Sequence, residues 1–132
     1  MRIVVDTNVV ISGTFFGGPP RRIIESIVSK EFEAYATPEI IDEYQEIVEE
    51  MIRRKQGHLR KDILSFFTAK VEIIEPMTKV SICRDSDDDK FISCAIDAKA
   101  LYIISGDKDL LEIEKYEGVE IITAADFCLR YL

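Results

Sequence analysis

Apolar residues along this chain fall into short unbroken runs separated by longer stretches with helical spacing. Ile3-Val4-Val5 leads straight into Asp6, and Leu101 to Ile104 and Val119 to Ile122 are runs of the same kind. An unbroken apolar run predicts a strand covered on both faces, whereas a half-exposed strand would alternate. Strands are therefore expected over Met1–Asp6, Phe32–Ala36, Leu101–Ile104 and Val119–Ile122, with a shorter one over Val71–Ile74 that Pro76 ends.

Helical stripes fill the intervals. Ile23, Ile24, Ile27 and Val28 lie on one stripe, after a turn-rich loop from Phe15 through Gly17, Gly18, Pro19 and Pro20. Thr37-Pro38 is a helix start, threonine as N-cap and proline at the first helical position, opening a helix through Met51 or beyond. Its apolar stripe is Ile40, Tyr44, Ile47, Val48 and Met51; Asp42, Glu46 and Glu49 point away from it, and Glu43 lies at its border. Arg53 to His58 breaks that helix, and another follows from Leu59 to Lys70, with Phe66 and Phe67 read as core residues. A broad-faced helix is expected from about Asp88 to Lys99, capped by Ser86 or Asp87. Asp107 to Glu114 reads as a short helical turn, and Thr123 caps a last helix through Tyr131.

Strands alternating with helices, and apolar throughout, predict an α/β protein: a three-layer α/β/α sandwich around a mostly parallel sheet of about four or five strands. A length of 132 residues suits one domain over 1–132.

Composition narrows the functional classes. A net charge of −8 excludes a protein whose whole surface attracts nucleic acid and restricts basic contacts to local patches. Cys83, Cys94 and Cys128 are widely spaced, with no CxxC pair, so they read as small core residues of a reduced cytoplasmic protein and imply no zinc site. No apolar run approaches the roughly 18 residues of a membrane span, which predicts a soluble protein.

Candidate chemistry sits in the acids. Asp6 and Asp107 follow buried strands, at the edge of a parallel sheet where ligands bind. Glu43 faces inward from its helix, and Asp85, Asp87, Asp88 and Asp89 crowd the start of another. Each has a bland reading on its own: Asp6 and Asp107 as turn residues, Glu43 as a solvated helix acid, Asp87 or Asp88 as helix-terminal acids. Brought together, carboxylates repel, and a divalent cation resolves the conflict. Oxygen ligands without His or Cys select Mg²⁺ or Mn²⁺, one ion or two. Such ions polarise a phosphoryl oxygen and acidify water, and a pair about 3.5 to 4 Å apart stabilises both entering and leaving oxygens of a phosphodiester. Serine catalysis lacks a GxSxG turn, and His58, the sole histidine, lies in a basic loop as a solvated residue. No GxGxxG or Walker A loop is present. A receiver domain would need a second acid beside Asp6, and an aspartyl-phosphate hydrolase would need one where Asn8 stands.

The blocks Asp6-Thr7-Asn8-Val9-Val10, Gly17 to Arg22, Thr37-Pro38-Glu39-Ile40 with Glu43, Cys83 to Phe91, and Ser105-Gly106-Asp107-Lys108-Asp109-Leu110-Leu111 together resemble a PIN domain, over nearly the whole chain. The resemblance implies a metal-dependent endoribonuclease of the kind found in VapC-type toxins of toxin–antitoxin pairs. It maps the catalytic and metal-binding acids to Asp6, Glu43, Asp89 and Asp107, adds Asp109 as an accompanying metal acid, and makes Asn8 and Ser105 supporting polar groups. The helical wheel alone leaves the choice among Asp85, Asp87, Asp88 and Asp89 open. The implied partners are RNA, an antitoxin protein and a second copy of the chain. Arg21, Arg22, Arg53, Arg54 and Lys55 are the candidate RNA contacts, against an ordinary solvated face. The rival expectation is a catalytically weak or inactive module of the same fold that binds RNA or an antitoxin.

Overall fold

The computed structural model describes residues 1–55 and 61–132. The helix expected to break from Arg53 onward continues through Lys55; the rest of the expected break, with His58, and the start of the following helix fall in residues 56–60, outside the described residues.

The first strand, β1 (Arg2–Val5), carries Ile3, Val4 and Val5, all fully buried. Each such side chain contributes about 1.5 to 3 kcal/mol by leaving water, which is why the run is uninterrupted. Then come α1 (Thr7–Phe15), α2 (Pro19–Val28), β2 (Glu33–Ala36), α3 (Pro38–Lys55), α4 (Lys61–Lys70) and β3 (Glu72–Ile73). A 3-10 turn (Ser86–Asp88) runs into α5 (Asp89–Ala98), followed by β4 (Tyr102–Ile104), α6 (Lys108–Ile113), β5 (Lys115–Tyr116), β6 (Val119–Ile122) and α7 (Ala124–Tyr131).

The sheet order is β3-β2-β1-β4-β6-β5, with every pairing parallel except the hairpin β5-β6. It has six strands: β3 falls within the short strand expected over Val71–Ile74, and the sixth is the two-residue edge β5, which carries too little sequence signal to count in advance. Helices complete the three-layer α/β/α arrangement: α5 lies across β1, β2 and β4, while α1, α2, α4 and α7 pack on one another. The order of strands leaves β1 and β4 side by side at the centre, with Val5 in register with Ile104. From β1 the chain moves to one side of the sheet, and the later strands fill the other. This is the topological switch that opens a crevice beyond the carboxyl ends of the strands.

Helix α1 was not predicted by periodicity, since Val9, Val10 and Ile11 are β-branched and its apolar residues do not form one stripe. Tertiary packing stabilises it: Val9, Val10, Gly13 and Thr14 are all buried. Gly13 is required by the close approach of α2, since a Cβ there would lie 2.9 Å from the Pro20 carbonyl oxygen. Two further corrections concern side chains. Phe67 is in the core as expected, but Phe66, about 100° away round α4, is 62% exposed. Neither Ser86 nor Asp87 is the cap: Asp85 caps the 3-10 turn, its carboxylate accepting the Asp87 N–H at 3.0 Å, and the N-cap position of α5 itself falls to Asp88. The Thr37 and Thr123 hydroxyls accept from Ile40 and Asp126 N–H groups, as expected of N-caps.

The long connection from β3 to the 3-10 turn is held by two aspartates of α5. Asp97 accepts the Met77 and Thr78 N–H groups and the Thr78 hydroxyl, and Asp89 accepts the Ile82 and Cys83 N–H groups. All three cysteines are free thiols. Burial pushes Cys83 and Cys94 up to about 12, so neither is a nucleophile at neutral pH. Among the described residues no helix is long and apolar enough to cross a membrane.

Candidate active site

Three aspartates stand at the N-caps of three helices and none spends its carboxylate on capping. Asp6 precedes α1, Asp88 precedes α5 and Asp107 precedes α6, each without a side-chain cap bond. An aspartate at that position ordinarily accepts an N–H two or three residues on. Here the backbone geometry that defines the strand or turn end delivers each carboxylate to the same edge of the sheet, and the side chains turn toward one another.

The centre of this edge is tied together by one hydroxyl. Ser105, fully buried just after β4, donates to Asp6 Oδ2 at 2.7 Å, and its Oγ accepts the Asp107 N–H at 3.0 Å. The Asp6 N–H bonds the Ile104 carbonyl at 2.9 Å, so the end of β1 is fixed against the end of β4. Asp6 is only 4% exposed. Burial pushes its carboxyl above the usual carboxylate range, against the stabilising Ser105 hydroxyl and Thr7 N–H, and the charges of Asp107 and Glu43 push it further up. Asp88 is pushed up to about 7 by burial, by a hydrogen bond shared with Asp107, and by the charges of Asp107, Asp6 and Asp85. Burial first, and the neighbouring carboxylates second, thus disfavour full ionisation of the cluster.

Glu43 reaches the cluster from the second turn of α3. Its Oε2 accepts the Thr7 hydroxyl at the start of α1, and its Oε1 lies 2.7 Å from the Lys90 ammonium. Tyr44, next on α3, is fully buried and donates to the Val5 carbonyl, anchoring the helix to β1 directly behind Asp6.

The placement of the remaining predicted residues is uneven. Asp89 turns away from the cluster: burial alone would raise its carboxyl, but the Cys83 N–H and thiol and the Ile82 N–H together hold it below the usual range. Asp109 faces Arg84 at 3.8 Å and lines a different cleft with Ile82 and Ile113. Asn8 is exposed and shares with Ser105, Ser12, Pro19 and Thr123 a cavity of about 440 Å³ beside the acids. Arg21 is committed to the carboxyl end of α1, where its guanidinium donates to the Gly13 and Thr14 carbonyls. Arg22 and Arg53 are exposed, Arg54 pairs with Glu50 at 2.9 Å, and the Lys55 side chain lies outside the described residues. Two residues that the sequence did not single out belong here: Asp88, set among equivalent-looking neighbours, and Lys90, hidden in the acidic run. No sequence signal separates Asp88 from Asp89, because the N-cap position of Asp88 is set by the preceding 3-10 turn.

A larger cavity of about 530 Å³ opens on the other side of Lys90, lined by Thr37, Glu39, Thr78, Lys79, Ser86 and Ser93. Among the described residues no three acids stand at ion-holding distance as they are, so an ion would have to draw the side chains inward. The donors fit a hard divalent cation: carboxylate oxygens only, with Asp6 nearly buried.

Comparison with known proteins identifies the fold and the family. The solved structure of VapBC2 from Rickettsia felis bound to a DNA fragment from their promoter superposes with a TM-score of 0.63 at 15% identity, covering 92% of this chain and 97% of that one. An uncharacterized protein of Methanocaldococcus jannaschii is 36% identical over 117 residues, 86% of this chain and 75% of that protein. The family model for the PIN domain matches residues 2–109. The chain therefore belongs to the PIN-domain family, whose members are generally nucleases that use divalent metal ions.

Proposed function

We propose that this protein is a Mg²⁺- or Mn²⁺-dependent endoribonuclease of the reduced cytoplasm, acting as a single domain, with Asp6, Asp88, Asp107 and Glu43 as its working acids. The observation that carries the reading is the set of three N-cap aspartates whose carboxylates are withheld from capping and directed at one another. Asp88 takes the role that the family resemblance gave to Asp89, because Asp89 is occupied by the Ile82 and Cys83 N–H groups.

A bound divalent cation would supply the charge that polarises a phosphoryl oxygen and acidifies water. Asp6, Asp88 and Asp107 would hold it. Ser105 fixes the orientation of Asp6 and the start of the Asp107 loop, which limits the reorganisation needed on binding. Glu43, held by Lys90, is positioned to orient water and accept its proton. No side-chain nucleophile is required, in keeping with the raised Cys83 thiol. RNA would approach over the open edge, with Arg22 and Arg53 as candidate backbone contacts and the neighbouring cavities receiving flanking nucleotides. The likeness to VapBC2 supports a toxin role with an antitoxin as protein partner; a second copy of the chain, which the family resemblance implies, is part of the same proposal.

Labelled RNA incubated with the protein in Mn²⁺, in EDTA, and with the Asp6→Asn variant tests this. Cleavage that needs the metal and disappears in the variant is the expected result. Intact RNA under all conditions, or cleavage that survives the substitution, would sink the reading and leave a binding module of the same fold.

A further inference from the structure

Lys90 is the residue of this edge that a cluster of acids does not explain. It belongs to the first turn of α5, where the helix dipole opposes a positive charge. Its ammonium nevertheless turns inward, and the side chain is only 12% exposed. An ammonium has three donors, and each has an acceptor within reach: Glu43 Oε1 at 2.7 Å, Asp87 Oδ1 at 3.1 Å and the Asp87 carbonyl at 3.0 Å. The Phe91 ring, 5.3 Å away, adds a further contact. The other oxygen of Glu43 already accepts the Thr7 hydroxyl. Both oxygens of Glu43 are thus engaged by groups of the chain itself, whereas among the described residues Asp6, Asp88 and Asp107 have each other, one serine and backbone amides as hydrogen-bond partners.

We infer that Lys90 is a built-in cation that occupies the Glu43 side of the site, so the protein binds one divalent ion, on Asp6, Asp88 and Asp107, and not two. This rests on the nuclease reading above and narrows it. A dication on Glu43 would stand within a few ångströms of a fixed ammonium whose donors are all satisfied, and would have to displace it toward the wall of the adjoining cavity. Lys90 is accordingly a positioning residue: it orients Glu43 and supplies local positive charge without itself ligating.

The test counts ions. Mn²⁺ bound per chain is measured by electron paramagnetic resonance and calorimetry in the full-length wild-type protein and in Lys90→Met, Lys90→Arg, Glu43→Gln and the Lys90→Met/Glu43→Gln double variant, with circular dichroism as a check on folding. One ion is expected for wild type, Lys90→Arg and Glu43→Gln, two for Lys90→Met, and one again for the double variant. Two ions in the wild type would overturn the inference whatever the variants do, and so would a folded Lys90→Met that still binds one. If two ions are counted while cleavage remains metal-dependent and needs Asp6, only the role of Lys90 falls. If the wild type binds none, the nuclease reading falls with it.

Discussion

Asp88 and Asp89 are joined by one peptide bond and live in opposite electrostatic worlds. Asp88 closes a 3-10 turn and is aimed at other carboxylates, with its acid pushed up to about 7. Asp89 opens α5, collects N–H donors from Ile82 and Cys83, and is held below the usual range. The first is destabilised where it stands and the second is stabilised. Two acids so alike in sequence show that charge density along a chain says little about function; what separates them is whether hydrogen-bond donors or like charges surround the carboxylate.

The contrast is open to breakage in several ways, the largest effect coming from the cluster itself. Asp6→Asn and Asp88→Asn should each lower metal-dependent RNA cleavage by at least about 100-fold, while thermal melts in EDTA show no loss of stability, because a repelled carboxylate has been removed. Asp89→Ala should do the reverse. Leaving the Ile82 and Cys83 N–H groups without their acceptor costs about 1 to 3 kcal/mol, readable by urea unfolding, with cleavage by the folded fraction within about tenfold of wild type.

The two aspartates should also give stability opposite dependences on pH. Folded Asp88 retains its proton up to about 7, against an ordinary value of 3.8, so between these values the folded chain binds more protons than the unfolded one. Its effect is that stability in EDTA falls as pH rises from about 4 to about 7. Asp89 contributes stability that is present above the ordinary value and lost as pH falls through its depressed folded value. Melting temperatures across pH 3 to 8 should lose their neutral-side decline in Asp88→Asn and their acid-side decline in Asp89→Asn. Metal binding should tighten as pH rises through about 7, since the ligands must be deprotonated. A smaller effect is expected at Ser105: replacement by Ala should weaken Mn²⁺ affinity by about tenfold through loss of the Asp6 orientation. The least is expected at the exposed arginines: Arg22→Ala or Arg53→Ala should reduce the salt dependence of RNA binding by a slope of about 1.

Much of this was legible from the residues. Uninterrupted apolar runs identified the central strands because burial on both faces leaves no room for polar residues, and Thr37 and Thr123 announced their helices through side-chain chemistry that works locally. Asp6 and Asp107 were readable as strand-end acids for the same reason. Helix α1 was hidden because packing against α2, not its own periodicity, makes Val9 and Val10 helical. The choice of Asp88 over Asp89 was hidden because a single 3-10 turn rotates the two side chains apart, and no helical wheel includes a turn of different pitch. Lys90 was overlooked because a lysine among acids reads as a solvated counter-charge until its three acceptors are known. Arg21 looked like a phosphate contact but serves the end of α1, a role set by the approach of two helices that sequence spacing does not reveal.

The account stands most directly on calorimetric titration of Mn²⁺ into Asp88→Asn and Asp89→Asn, side by side, each shown to be folded at the temperature used. Binding should be lost or weakened by at least about 100-fold in the Asp88 variant and kept close to wild type in the Asp89 variant. Undiminished binding by the Asp88 variant, with loss in the Asp89 variant, would contradict it.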